Sequence, residues 1–153
     1  QFTEAIRQGR PIQLYNEGKH YRDFTHVSDV VQGILGYMDL PPERDHGCLH
    51  RPPDPASSAA PFRLANIGSA EPISLDHLVT LIERGVGRTA QIEYLPIQPG
   101  DPISTHANIA DTIYDTGFHP KVKIEDGITN YVEWHLSYYT EDRPFPLATP
   151  TRK

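Results

Sequence analysis

Short stretches of β-type alternation interleaved with helical apolar spacing predict an α/β or α+β fold, built from short strands with packed helices. Three observations carry that prediction. Ile12-Gln13-Leu14-Tyr15 and Ala90 to Leu95 alternate as half-buried strands do. Val30, Val31, Ile34, Leu35 and Met38, and again Leu75, Leu78, Val79, Leu81 and Ile82, recur at the spacing of one helix face. Gly and Pro punctuate the joins between these runs.

In chain order, Phe2, Ala5 and Ile6 give a helix that Gly9 and Pro11 stop. The strand Ile12 to Tyr15 runs into a turn, Asn16-Glu17-Gly18-Lys19, with Gly where a positive φ is expected. A second strand, Tyr21 to His26, leads to a helix starting at Ser28 or Asp29. Pro41 to Pro61 holds six prolines, too many for a helix or an interior strand, and reads as one long loop. Leu64 to Gly68 reads as a short strand, and Ser74 as the cap of a helix stopped by Gly85 and Gly87. The strand Ala90 to Leu95 opens the loop Gln98-Pro99-Gly100-Asp101-Pro102-Ile103-Ser104-Thr105-His106-Ala107-Asn108, with Asn108 capping a helix that Gly117 ends. A last helix runs from Ile124 to Tyr139. The expected organisation is one domain over 1–139, with 41–61 its Pro-rich loop, and a polar tail over 140–153.

Composition excludes several classes of function. Net charge is −6 over 153 residues, the pI is near 5.7, and no basic stripe is present, which argues against a nucleic-acid surface. One cysteine, Cys48, allows no internal disulfide and fits a reducing, cytoplasmic setting. No apolar run approaches the roughly 18 residues of a membrane span. No Met opens the chain, and Gln1 is followed at once by helical spacing; this reads as part of a longer protein.

Each candidate constellation has a plainer reading beside it. Tyr15 and Lys19 match the Tyr-x-x-x-Lys spacing of short-chain dehydrogenases, but Asn16 and Gly18 between them make a turn rather than a helix. His46-Gly47-Cys48-Leu49-His50 offers three metal donors without a fourth, so solvated loop residues are the better reading. His135 on the apolar face of the last helix reads as a packed histidine. Arg22-Asp23 reads either as a structural pair or as an anion site, its guanidinium forked onto a phosphate and oriented by Asp23. In the central loop, Gly100 permits a tight turn and Asp101 beside it is an acceptor for hydroxyls.

Several separated stretches, taken together, resemble the nucleotide-sugar epimerases and dehydratases of the extended short-chain dehydrogenase family. They are Gly9 to Gly18, Tyr21-Arg22-Asp23-Phe24-Thr25-His26-Val27-Ser28-Asp29, Asn66-Ile67-Gly68, Gln98-Pro99-Gly100-Asp101 with Thr105 and Ala107, and Gly127-Ile128 with Tyr131-Val132-Glu133-Trp134. Within that family the chain looks most like UDP-glucuronate 4-epimerases. Asp54-Pro55-Ala56-Ser57-Ser58-Ala59-Ala60-Pro61 before the Asn-Ile-Gly stretch, and Gln98 in place of a common Arg, carry that finer likeness.

The resemblance implies a C-terminal substrate-binding domain that acts on a UDP-sugar, UDP-glucuronate first among them, with C4 epimerisation to UDP-galacturonate as the parent's reaction. A decarboxylase or a 4,6-dehydratase of the same family, and a stand-alone UDP-sugar-binding module, remain open. By the same resemblance Gln13 and Tyr15 meet the uracil ring, Arg22 reaches the diphosphate and Asp101 takes the ribose hydroxyls. Gln98 inherits a phosphate contact as a neutral amide. Asn108 replaces the family's Asp, and Ala65 stands where an aromatic is common. The Gly-rich NAD loop and the catalytic Tyr-x-x-x-Lys belong to the N-terminal half of the parent. The chain alone is then inactive, and NAD binds elsewhere in the parent enzyme. Relatives that dimerise through that half imply a homodimeric parent and a monomeric fragment.

Overall fold

The computed structural model describes residues 1–45, 54–140 and 142–146. In chain order the elements are α1 (Phe2–Gln8), β1 (Ile12–Tyr15), a 3-10 turn (Asn16–Gly18), β2 (Tyr21–Asp23), α2 (Val27–Met38), β3 (Pro72–Ser74), α3 (Leu75–Val86), β4 (Ile92–Leu95), α4 (Ala110–Thr116) and α5 (Ile124–Tyr138). The expected α/β arrangement of short strands and packed helices is present. It forms two compact units that interleave along the sequence. The first takes Gln1–His20, Ser74–Ile103 and the chain from Glu125 on; the second takes Tyr21–Ile73 and Ser104–Ile124.

The first unit is built on the parallel pairing of β1 with β4, in register from Ile12 opposite Ile92 to Tyr15 opposite Leu95. Alternation along β1 turns Ile12 and Leu14 into the core and leaves Gln13 in water. Ala5 and Ile6 of α1, Leu78, Val79, Leu81 and Ile82 of α3, and Val132 of α5 complete the core. The Ser74 hydroxyl accepts from the His77 N–H at 3.2 Å and caps α3, as its sequence predicts. The stop expected at Gly85 is corrected: α3 runs on to Val86, and Gly87 takes the left-handed cap. Gly85 serves packing instead, since a Cβ there would stand 3.1 Å from the Val132 side chain.

Glu4 is 1% exposed and ties α1 to α5. Its carboxylate accepts two hydrogen bonds from Arg7, at 2.9 and 2.6 Å, and one from His135 Nε2 at 3.0 Å. His135 is therefore packed, as expected, but its ring also makes a buried hydrogen bond to Glu4. Beyond α5, Arg143 lies 4.6 Å over the Tyr138 ring, and Phe145 packs against His135 and Tyr139.

In the second unit β2 and β3 form a two-stranded sheet, and Tyr21 bridges Ser104 in parallel. β3 has no counterpart in the sequence reading. α2 starts at Val27, ahead of the expected Ser28 or Asp29, because His26 Nδ1 accepts from the Ser28 N–H and caps it. Leu64 to Gly68 forms no strand. Its polar groups are met by neighbouring chain instead: the Asn66 carbonyl accepts from the Thr112 hydroxyl at 2.6 Å, and the Asn66 amide donates to the Asn108 carbonyl at 3.2 Å. Asn108 caps α4 from one residue further out than expected, its Oδ1 accepting from the Ala110 N–H at 3.1 Å.

The apolar face of α2 is the largest departure from expectation. Val31, Ile34, Leu35 and Met38 are exposed, whereas Asp29 and Gly33 on the other side are buried. Asp29 earns its burial by accepting the N–H groups of Lys121 and Val122 at 3.2 and 3.0 Å. The run His46 to His50, and with it any reading of its donors, lies outside the described residues.

The buried Glu4 pair sets an acid limit on stability. Hydrogen bonds from Arg7, opposed by burial and joined by the bond from His135, hold the Glu4 carboxyl at about 2 against an ordinary 4.5. A depressed carboxylate contributes stability above its unfolded value, and that contribution is lost as pH falls from 4.5 toward 2. Glu4→Gln is expected to cost about 3 kcal/mol at pH 7 and to flatten the fall in stability across that window. Urea unfolding as a function of pH checks both effects.

Candidate functional site

A parallel pair sends both of its strands out at the same end. Here that end is Tyr15 on β1 and Leu95 on β4. Tyr15, half-buried, continues into the 3-10 turn and on to His20, while β4 continues into the loop that holds Gln98 and Asp101. The carboxyl ends of parallel strands are where α/β proteins hold ligands, because the loops there can vary without disturbing the ladder. Four of the five residues chosen from sequence, Gln13, Tyr15, Gln98 and Asp101, lie in this unit.

Their surroundings differ. Gln13 is exposed on β1, and its amide donates across the register to the Glu93 carboxylate at 2.9 Å. Gln98 is exposed on the loop, and its carbonyl accepts from the Asp101 N–H at 3.2 Å to close the turn. Gly100 inside that turn takes φ 84°, with nothing within 4 Å of where a Cβ would sit. The turn can therefore adopt a left-handed conformation without crowding, though a side chain at Gly100 would strain the backbone. Asp101 is half-buried, and its Oδ2 stands 3.5 Å from Nε2 of the buried His20.

Sequence reasoning passed over His20, because it falls between a turn and a strand and belongs to no motif. The signal available was position: it is the last residue before Tyr21, on the chain leaving β1. The Tyr15 and Lys19 spacing carries no shared helix face. Tyr15 ends a strand, and Asn16, Glu17 and Gly18 after it all have positive φ.

Arg22 lies on β2 in the second unit, half-buried, with Nη1 donating to the Tyr21 carbonyl at 2.9 Å. Its neighbour Asp23 is a hub for two loops. One oxygen accepts from the Ser69 N–H and hydroxyl at 2.8 and 2.6 Å; the other accepts from the N–H groups of Ala70 and Ala107 at 3.1 and 3.0 Å. Burial pushes the Asp23 carboxyl up, but the hydrogen bonds from Ser69, Ala107 and Ala70 together hold it below the usual carboxylate range. These contacts of Asp23 are structural, fixing 69–70 and 107 beside β2.

The chain was compared with known proteins. Residues 1–47 match the model of the NAD dependent epimerase/dehydratase family. Protein CapI of Staphylococcus aureus is 39% identical over 138 residues, which is 90% of this chain and 41% of CapI. A probable UDP-glucuronate 4-epimerase of Rhizobium meliloti is 39% identical over 139 residues, again 90% of this chain and 41% of the relative. Among solved structures, MoeE5 in complex with UDP-glucuronic acid and NAD superposes with a TM-score of 0.68 at 26% identity, covering 89% of this chain and 40% of MoeE5. The chain spans about two fifths of the length of the proteins it matches.

Removing the Asp23 carboxylate takes the acceptor from three backbone N–H groups and from the hydroxyls of Ser69 and Thr25. Asp23→Ala is expected to lower stability by about 2–4 kcal/mol. Hydrogen exchange at Ser69, Ala70 and Ala107 should speed up, while the amides of β1 and β4 keep their protection.

Proposed function

We infer that this chain, whose first 47 residues carry the pattern of the NAD dependent epimerase/dehydratase family, is the substrate-binding portion of a UDP-sugar epimerase. The parent's reaction in this reading is the C4 epimerisation of UDP-glucuronate to UDP-galacturonate. One observation carries it. Tyr15, Gln98 and Asp101, which the family likeness assigns to the nucleotide, lie at or just beyond the carboxyl ends of the paired strands β1 and β4. They do so in a chain 39% identical to a probable UDP-glucuronate 4-epimerase.

In this role Gln13 and Tyr15 hold the uracil, the base lying along the end of β1 with backbone groups reading its edge. Asp101 accepts the ribose hydroxyls, which a half-buried carboxylate does well because both of its oxygens are acceptors. Arg22 supplies the positive charge for the diphosphate, and Gln98 donates an amide N–H without adding charge. Contacts to the remote UDP position the sugar, and this is how a binding portion contributes to a reaction carried out by other groups. The hydride chemistry belongs to NAD, held by the rest of the parent protein, as does the proton transfer at C4. MoeE5, with UDP-glucuronic acid and NAD bound, is similar in fold over the same stretch.

Titration calorimetry on the 153-residue chain tests the reading. UDP and UDP-glucuronate are expected to bind, Asp101→Asn to weaken both about 10-fold, and the chain with added NAD to turn over no UDP-glucuronate. A chain that binds neither nucleotide, or that converts UDP-glucuronate with NAD alone, sinks it.

A further inference from the structure

His20 is a buried imidazole with an unanswered donor. It is 1% exposed, and among the described residues its Nε2 has no hydrogen-bond partner. Its backbone is fixed, since its carbonyl accepts the Leu75 N–H at 2.9 Å at the start of α3. The ring nitrogen stands 3.5 Å from Asp101 Oδ2, within ion-pair range and a few tenths of an ångström beyond a good hydrogen bond. A buried polar group without a partner is costly, so a shift that closes this gap is favoured. Asp101 approaches the ring from the loop that follows β4. It lies at the end of an exposed turn over 96–100 with Gly100 at φ 84°, whereas His20 is held within the unit.

We propose that His20 is a positioning residue for Asp101: from the buried side its Nε2–H holds one carboxylate oxygen and turns the other toward a hydroxylated ligand. The inference rests on the reading of Asp101 as the acceptor for the ribose. It adds a residue outside the motif that suggested that reading, and a reason for a histidine at position 20. Donation needs a proton on Nε2, so the pair fixes the imidazole tautomer as well as the carboxylate rotamer. A carboxylate held at one oxygen presents the other in a defined direction, and this lowers the ordering cost of binding a vicinal diol.

Two measurements on the 153-residue chain test this. In the first, imidazole nitrogen and proton shifts of His20 are followed by NMR with pH, in the native sequence and in Asp101→Asn. An Nε2–H is expected in the native chain, and its proton should shift upfield and exchange faster with water when the carboxylate is removed. In the second, affinities for UDP and for 2′,3′-dideoxy-UDP are compared by calorimetry. His20→Phe should weaken UDP about 5- to 20-fold and the dideoxy compound less than about twofold. His20→Gln keeps a donor and should restore UDP binding to within about threefold, and His20→Phe combined with Asp101→Asn should bind no worse than Asp101→Asn alone. Equal losses for both nucleotides, or a Gln variant as impaired as Phe, would show a role in folding only and overturn the proposal. An Nε2–H signal indifferent to Asp101→Asn overturns the pairing by itself. A native chain that binds no UDP overturns the substrate reading, and with it the hydroxyl contact, whatever the imidazole does.

Discussion

The parallel pairing of β1 with β4 is the constraint on which the rest of the first unit depends. Residues 80 apart in sequence, Gln13 and Glu93, are brought side by side by it. Four residues of parallel ladder are weak alone; the pairing holds because alternation buries Ile12 and Leu14 on the side of α1, which in turn packs on α3. Burial of that kind is worth about 1.5–3 kcal/mol per aliphatic side chain. Since parallel strands exit at one edge, the same hydrophobic contacts that fix the register also decide where Tyr15, His20 and Asp101 emerge. A one-residue slip in β1 would turn Ile12 and Leu14 to solvent and Gln13 inward, which the core forbids. The position of the site is thus a consequence of the core rather than of the loops that line it.

Where regular structure is thin, buried acids and hydroxyls take over its work. Asp23 gathers the N–H groups of residues 69, 70 and 107; Asp29 gathers those of 121 and 122; Thr112 reaches the Asn66 carbonyl. Glu4 joins α1 to α5. In a chain with 15 prolines, many backbone segments cannot enter a ladder, and their polar groups still need partners. Short acidic side chains provide them at fixed geometry. The same arrangement makes the protein sensitive to acid, because a carboxylate that accepts several hydrogen bonds loses them on protonation.

The elements of the fold were legible where local chemistry and tertiary packing agree. The Ser74 cap and the alternation of Ile12 to Tyr15 are local signals that the structure keeps. The failures come from places where a distant partner decides. Leu64 to Gly68 has strand-like composition, but Thr112 and Asn108, more than 40 residues away, meet the Asn66 polar groups and no ladder forms. Gly85 reads as a stop until Val132 is seen packed on it. Periodicity located α2, yet it named the wrong buried side, because Asp29 and Gly33 face inward while Val31, Leu35 and Met38 face solvent. The candidate site residues were chosen through family likeness. His20 was not, since its meaning comes from being near Asp101, 81 residues on, and no local pattern records that.

The charge balance bears on how such a site could hold an anionic nucleotide-sugar. A chain of net charge −6 offers a UDP-sugar no favourable long-range field, so attraction cannot come from the surface as a whole. It must come from specific donors and acceptors. In the proposed function, Gln98 adds a donor and no charge, and the guanidinium contribution falls to Arg22. Discrimination then shifts toward the neutral part of the ligand. In that reading a carboxylate oriented for two hydroxyls rejects a nucleotide that lacks them, because the contacts it would make with the ribose are lost. On the inference drawn for His20, its ring 3.5 Å from Asp101 would hold that carboxylate from the buried side and reduce the ordering cost of binding a diol.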